Sequence, residues 1–280
     1  MKIYKNRQFD EERALYAVNG ALLENCLFKG EADGESALKE SCNVVVKHCD
    51  FHLRYPFWHT TDAELIECTT YDTCRAAFWY DENVRVYDSR LGGIKAFREC
   101  KNVTLENCHI VSAEFGWRTS DVRIKGGSLE GEYPFFMAES LNVEDFDLKG
   151  KYSFQYVKGL NIRNSNFDTK DAFWHAENVT VENTVIKGEY LAWYSKNLTL
   201  VNCTIIGTQP FCYCENLKLV NCRMEGCDLS FENSFVEADV IGRIDSVKNP
   251  SGGYINADSI GEIITDGYAK NYVGCTITAK

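Results

Sequence analysis

Hydrophobic and polar positions along the chain alternate in short stretches, and these stretches recur with a constant spacing. Most repeats begin with Asn or Asp followed by two apolar residues that flank a polar one, as in Asn102-Val103-Thr104-Leu105, and from Asn83 to Asn216 the copies start 19 residues apart. Alternation of this kind, rich in β-branched residues, predicts a strand that is buried on one side. A repeat of one length over such a span indicates a solenoid in which each copy forms one coil.

Each repeat contains three alternating stretches that are separated by turn residues. Five positions after the start lies a column of Asn, Asp and Gly, which tolerate left-handed backbone and whose amides can bond from coil to coil. The last stretch is aromatic, as in Ala172-Phe173-Trp174-His175. Three short strands per coil predict an all-β fold, a single-stranded parallel β-helix of about a dozen 19-residue coils with a short N-terminal cap. The repeat does not determine the handedness, for which the general crossover rule predicts a right-handed helix.

The repeat also predicts how the chain is organised. We expect a single domain over residues 1–280, with a cap and first partial coil in 1–19, regular coils in 20–233, and irregular C-terminal coils and a cap in 234–280. The ends of a solenoid need covering, so the segment from Phe9 to Tyr16 is expected to form a capping helix.

Composition restricts the classes of function. The 280 residues include 30 Lys and Arg against 41 Asp and Glu, a net charge of −11, which disfavours a nucleic-acid surface. No apolar run is long enough for a membrane span, and no secretory signal follows the first residues, so we expect no membrane association. Thirteen cysteines without an export signal predict free thiols and a cytoplasmic protein. Their spacing does not match a zinc site, and we expect neither a metal nor another cofactor.

Three strings carry a closer resemblance. ERALY (Glu12 to Tyr16), DGESALKE (Asp33 to Glu40) and FENS (Phe231 to Ser234) resemble those of an uncharacterised bacterial β-helix family of unknown function. The columns as a whole resemble the right-handed parallel β-helices of the pectin-lyase-like superfamily. This resemblance implies the fold and its handedness, and it implies no activity.

Two insertions locate a candidate catalytic site. The superfamily contains polysaccharide lyases and glycosidases, but the Asn-Thr-Asp, Asp-Asp and Gly-His-Gly motifs of polygalacturonases do not occur here. Extra residues around Glu31–Glu35 and Tyr71–Arg75 fall at the same corner of the coil, where inserted loops often carry function. The candidate catalytic residues are Asp33, Glu35, His59, Arg75 and Glu99, and a solvated acidic loop is the competing interpretation.

The aromatic stretch is the second candidate site. If it is a strand, alternate residues share a face, and we expect the face rich in Tyr, Phe, His and Glu to point outward. Such a row suits stacking on sugar rings or docking of a protein, whereas a purely structural ladder would only stabilise the sheet. The residues assigned to ligand or partner binding are Phe57, Tyr80, Phe97, Arg118, Phe135, Tyr152, Phe154, Tyr156, Phe173 and His175.

Two functional hypotheses follow. The first is a cytoplasmic, non-catalytic binding or interaction scaffold that uses this aromatic face, with a carbohydrate or a protein as its partner. The alternative is a divergent carbohydrate-active enzyme, a polysaccharide hydrolase or lyase, with its site near the Glu31–Glu35 loop. A contiguous outward patch around Phe154 also predicts a twofold homodimer that would cover it.

Overall fold

The computed structural model of the protein describes residues 1–30 and 34–280. The chain divides into two compact units, Met1–Leu141 and Asn142–Lys280. Both units are built from strands and turns, and the described residues contain no helix. The single domain over 1–280 stays a prediction.

The strands of the first unit are short and follow one another around successive coils. They are β1 (Lys2–Lys5), β2 (Gln8–Phe9), β3 (Asn19–Glu24), β4 (Leu27–Phe28), β5 (Cys42–Lys47), β6 (Asp50–Phe51), β7 (Phe57–Trp58), β8 (Thr61–Ile66), β9 (Thr69–Thr70), β10 (Phe78–Trp79), β11 (Glu82–Tyr87), β12 (Arg90–Leu91), β13 (Phe97–Arg98), β14 (Lys101–Val111) and β15 (Ser120–Glu132). The next strand, β16 (Glu139–Glu144), contains the boundary between the units.

The second unit has the same kind of coil. Its strands are β17 (Asp147–Lys151), β18 (Lys158–Arg163), β19 (Asn166–Lys170), β20 (Glu177–Glu182), β21 (Val185–Lys187), β22 (Lys196–Val201), β23 (Thr204–Ile206), β24 (Glu215–Glu225), β25 (Phe235–Lys248), β26 (Gly252–Ile264) and β27 (Gly274–Ala279).

Parallel pairing in a constant register stacks like residues into columns. In the first unit Ala63 pairs with Val44 on one side and with Val84 on the other, and all three are fully buried. In the second unit Leu198 pairs in the same way with Val179 and Leu217. Each buried valine or leucine in such a column contributes about 1.5–3 kcal/mol. The predicted all-β, right-handed parallel β-helix is confirmed as the fold class.

The N-terminal segment contains no helix, so the expected capping helix from Phe9 to Tyr16 is wrong. Strands β1 and β2 pair with β3 and β4 and thus form a first coil. The residues after β2 form turns whose N–H groups donate to a neighbouring coil, as Leu15 does to the carbonyl of Ala37 at 2.8 Å. A donor that bonds across coils is not available for a helical bond to the fourth preceding residue.

The third side of the coil differs between the first coils of the chain and the later ones. In the first unit β7, β10 and β13 form a three-stranded parallel sheet. In the second unit the equivalent stretch is a turn with left-handed φ at alternate residues, 59° at Tyr152, 57° at Phe154 and 57° at Tyr156. The same turn is present in the last coil of the first unit, with φ of 55° at Tyr133 and 60° at Phe135. The predicted third strand is therefore wrong for that coil and for the second unit.

This backbone explains why the face assignment fails for the phenylalanines. Residues two apart share a face only in an extended strand, and here Phe154 is fully buried while Tyr156 is 42% exposed. Five phenylalanines that were expected to point outward are at most 1% exposed: Phe57, Phe97, Phe135, Phe154 and Phe173. These rings are core residues, so the outward patch around Phe154 does not exist and the homodimer stays a prediction without this support.

Candidate functional site

A ladder of four aromatic side chains runs along the surface of the second unit. Tyr156, His175, Tyr194 and Tyr213 contribute one ring from each of four successive coils. The ring centroids are 4.7, 5.0 and 4.7 Å apart, and adjacent rings are inclined by 11°, 7° and 7°. Because the rings cover one another's faces, the ladder presents ring edges and polar ends to solvent.

A groove of about 550 Å³ begins where this ladder ends. Its aromatic lining residues are Tyr194, Tyr213 and Phe235, and its polar lining residues are Glu215, Asn233, Lys270 and Asn271. Cys214 and Ser251, both buried, contribute backbone and small side chains. The groove therefore combines two phenol groups with two amides, which are groups that bind hydroxyl-rich ligands.

The segment between β26 and β27, residues 265–273, supplies one part of this groove. A reciprocal pair of hydrogen bonds holds it, since the side-chain amide of Asn249 donates to the Asp266 carboxylate at 2.6 Å and the Asp266 N–H donates back to Oδ1 of Asn249 at 3.2 Å. The Lys270 N–H donates to the Asn233 side chain at 2.6 Å. Gly252 leaves room for Val273 to pack close to Phe235, because a Cβ there would lie 2.6 Å from Val273.

Most charges around the groove are already paired. Glu215 lies 3.2 Å from the ammonium group of Lys196. Lys248 lies 3.0 Å from Glu232 and 3.8 Å from Asp266. Burial raises the pKa of Tyr213, with the charge of Glu232 adding to the effect, so this phenol is a neutral donor at physiological pH.

Comparison of the sequence with known families identifies one match over nearly the whole chain. Residues 2–278 match a family described as a protein of unknown function, DUF3737. The chain belongs to the DUF3737 family. No curated protein matches it.

Solved structures similar to the DUF3737 protein are β-helix proteins. A surface adhesin of Streptococcus pneumoniae, PfbA, is 9% identical, with 95% of this chain and 85% of that chain covered and a TM-score of 0.55. The A-module of the mannuronan C-5 epimerase AlgE6 from Azotobacter vinelandii is 12% identical, with 98% and 87% covered and a TM-score of 0.36. The adhesin likeness shows the pectin-lyase-like fold and no more.

The predicted ligand-binding residues of the DUF3737 protein fall into two groups. The phenylalanines lie in the core, as described above. Tyr80, Arg118 and Tyr156 are exposed, and His175 and Tyr152 are partly exposed. Of these surface residues, Tyr156 and His175 belong to the ladder that leads into the groove.

The predicted catalytic residues have separate partners. Asp33 lies outside the described residues, as do Glu31 and Ala32 of the same loop. Glu35 pairs with Arg54 at 3.3 Å, and His59 lies 3.1 Å from Glu40. Arg75 is exposed and its carbonyl accepts from the Tyr55 N–H.

Glu99, the last of the five, pairs with two arginines. Its carboxylate lies 3.4 Å from Arg98 and 3.8 Å from Arg118. Among the four candidates in the described part of the chain, no hydrogen bond or ion pair joins one to another, and this catalytic set stays a prediction.

A second groove of about 550 Å³ contains two carboxylates, those of Asp239 and Asp258. Asp239 accepts from the Asn256 amide at 2.9 Å. Asp258 accepts from the Gly242 N–H at 2.7 Å and pairs with Lys280 at 3.2 Å. Both carboxylates thus stabilise the coils around the register shift between β25 and β26.

No group of side chains with metal-ligating geometry occurs among residues 1–30 and 34–280. Over the same ranges, no helix has the length and apolar character of a membrane span.

Sequence reasoning found the columns of the ladder and missed the groove. Tyr194 and Tyr213 lie in the predicted aromatic column, so the repeat signals them. Asn233, Lys270 and Asn271 come from the irregular C-terminal part, where no repeat predicts which residues meet. The Asn233 side chain bonds to the Lys270 backbone 37 residues later, a contact without a signal in the sequence.

Proposed function

We propose that the protein is a non-catalytic glycan-binding protein whose ligand occupies the groove lined by Tyr194 and Tyr213. The observation that carries this proposal is the composition of the groove, with phenol groups and amides around an open cleft of about 550 Å³. Sugar hydroxyls both donate and accept hydrogen bonds, and these side chains do the same. The adhesin has a similar fold, and this similarity supports a binding role for the protein only by analogy.

The charge pattern favours binding over hydrolysis. A glycosidase of the usual kind needs two carboxyl groups that flank the scissile bond. Glu215 is the one carboxylate among the residues that line this groove, and it is ion-paired with Lys196. A ligand in this groove contacts hydrogen-bond donors and acceptors, but the lining residues do not include the two carboxyl groups that such a hydrolysis needs.

The ladder indicates how the ligand is held. Sugar rings often stack on free aromatic faces, but the faces of His175 and Tyr194 are covered by their neighbours. The groups that remain accessible to a ligand are the phenol and imidazole groups, one per coil. The distance between neighbouring groups is close to the length of a pyranose unit. The ligand is therefore recognised by hydrogen bonds to the Tyr194 and Tyr213 hydroxyls, at the end of the ladder that lines the groove.

The test separates the hydroxyl from the ring. A glycan array identifies a bound oligosaccharide, and calorimetry then measures its affinity for Tyr213→Phe and Tyr194→Phe. Each variant keeps the stacked ring and loses one hydrogen bond, so affinity should fall about tenfold at most. Tyr156→Phe is the matched control, because Tyr156 belongs to the ladder and does not line the groove.

Two results would overturn the proposal. One is an array on which no glycan binds. The other is an affinity that the groove variants leave unchanged, or that Tyr156→Phe reduces as strongly as Tyr213→Phe does.

A further inference from the structure

The segment 265–273 carries features that the proposed function does not use. Tyr268 and Tyr272 are 76% and 64% exposed. Among the described residues neither ring contacts another aromatic ring, in contrast to the covered rings of the ladder. Both tyrosines flank Lys270 at a distance of two residues, and Tyr272 lies between the groove residues Asn271 and Val273.

Lys270 is the second feature. It is exposed, it lines the groove, and its ammonium group has no ion pair among the described residues. The acidic groups nearby are engaged, since Glu215 pairs with Lys196 and both Glu232 and Asp266 pair with Lys248. The groove thus has one uncompensated positive charge in a chain of net charge −11.

We propose that the glycan bound in this groove is anionic, that an acidic substituent pairs with Lys270, and that sugar faces stack on Tyr268 and Tyr272. This inference rests on the proposed function and specifies its ligand class. An unpaired ammonium group attracts a carboxylate, a sulfate or a phosphate alike. A free tyrosine face supplies the apolar contact that the ladder does not offer.

The anchoring of the segment supports this role. Asn249 and Asp266 exchange two hydrogen bonds at its start, and Asn233 holds the Lys270 backbone further along. The backbone of Lys270 is therefore fixed at the groove, while its ammonium group has no ion pair within residues 1–30 and 34–280. A positioned charge binds at a lower entropic cost than a mobile one.

Calorimetry with three matched hexasaccharides tests the inference. The probes are a uronic-acid hexamer, a sulfated hexamer and a neutral hexamer, each at low and at physiological salt. Comparison of the two anionic probes shows whether the groove prefers a carboxylate or a sulfate. We expect at least one anionic probe to bind about fivefold more tightly than the neutral one, and this advantage to shrink as salt increases.

Variants assign the effect to the segment. Lys270→Met should remove the advantage of the anionic probe and leave the neutral probe unchanged. Tyr272→Ala should weaken both classes of probe by a similar factor, because stacking does not depend on charge. Lys158→Met is the matched control, since Lys158 is exposed on β18 and has no ion pair among the described residues.

The failures of the two proposals are distinguishable. Equal affinity for neutral and anionic probes, with sensitivity to Tyr213→Phe, overturns the anionic ligand and keeps the glycan-binding groove. An anionic preference that Lys270→Met does not change overturns the role of Lys270. Absence of binding by all probes and on the array overturns both proposals.

Discussion

Asp81 places a carboxyl group inside the first unit. Its side chain is 1% exposed, one oxygen accepts the Thr60 N–H at 2.6 Å, and no described residue bonds to the other oxygen. Burial raises the pKa of this carboxyl group well above its ordinary value. The folded state therefore favours the protonated acid, whereas the unfolded chain ionises it at neutral pH.

We predict that Asp81→Asn stabilises the protein and that the gain increases with pH. When the folded pKa lies above the unfolded one, stability is highest below the unfolded value of about 3.9 and is lost as pH rises toward the folded value. Asn keeps an oxygen for Thr60 and does not ionise, so the variant should gain about 1–3 kcal/mol at neutral pH. Thermal unfolding at about pH 4 and about pH 8 measures the difference.

The control for this prediction is Asp88→Asn. Asp88 is exposed and its side chain accepts from the Asn107 amide at 3.1 Å. We expect no change in the pH dependence for this variant. A difference between Asp81→Asn and the unmodified protein that is the same at both pH values would contradict the assignment.

Corner residues of the coil could be predicted from the sequence, and Asp81 could not. Asn183 and Asn202 occupy the predicted turn column, have φ of 50° and 54°, and share an amide hydrogen bond of 3.3 Å. The repeat predicts this ladder because it brings one residue type to the same corner of adjacent coils. Asp81 stands in a column with Thr60 and Cys100, and a column of small polar residues does not indicate a buried carboxyl group.

At the scale of the element, the third side of the coil departs from its periodicity. Phe57 and Trp58 form the extended strand β7, which pairs with β10. The equivalent residues around Phe154 turn at alternate positions. Left-handed φ is uncommon for Tyr and Phe, so these residue types do not signal the turn. The aromatic columns were therefore predictable while their orientation was not.

We predict that Phe154→Ala lowers the free energy of unfolding by about 3–5 kcal/mol, because it leaves a cavity in the core. The Phe154 ring packs 5.7 Å from that of Phe167 and 5.4 Å from that of Phe173, by ring centroids. Denaturant unfolding gives the change. Tyr156→Ala, two residues away on the surface, should cost less than about 1 kcal/mol. Similar midpoints for the two variants would show that Phe154 does not belong to the core.

At the scale of the whole molecule, cysteines occur in both units, from Cys26 to Cys275. All 13 are free, as predicted, and all but Cys42 and Cys275 are buried. Burial raises the pKa of Cys68 to about 11 and that of Cys74 to about 12. A protonated, buried thiol is a poor nucleophile, so these groups act as small apolar residues. The cytoplasmic location stays a prediction.

We predict that only two thiols react quickly with an aromatic disulfide reagent in the native protein. Cys42 and Cys275, which are partly exposed, should be modified first, and the rest of the 13 only as the protein unfolds. Absorbance of the released thiolate measures both phases, and labelled peptides identify the sites. Fast modification of many more thiols in the native protein, or fewer than 13 in denaturant without reductant, would contradict it.

The constant register between neighbouring strands has a consequence for inheritance. Strands β20, β22 and β24 pair at equivalent positions. Each coil therefore pairs with the coil before it and with the coil after it in the same register. A gene that duplicates or loses the codons of one coil leaves every remaining column stacked, whereas a change of another length displaces the columns that follow. Lengths among descendants of this gene should therefore differ by whole coils, or by insertions confined to corners such as Tyr71–Arg75.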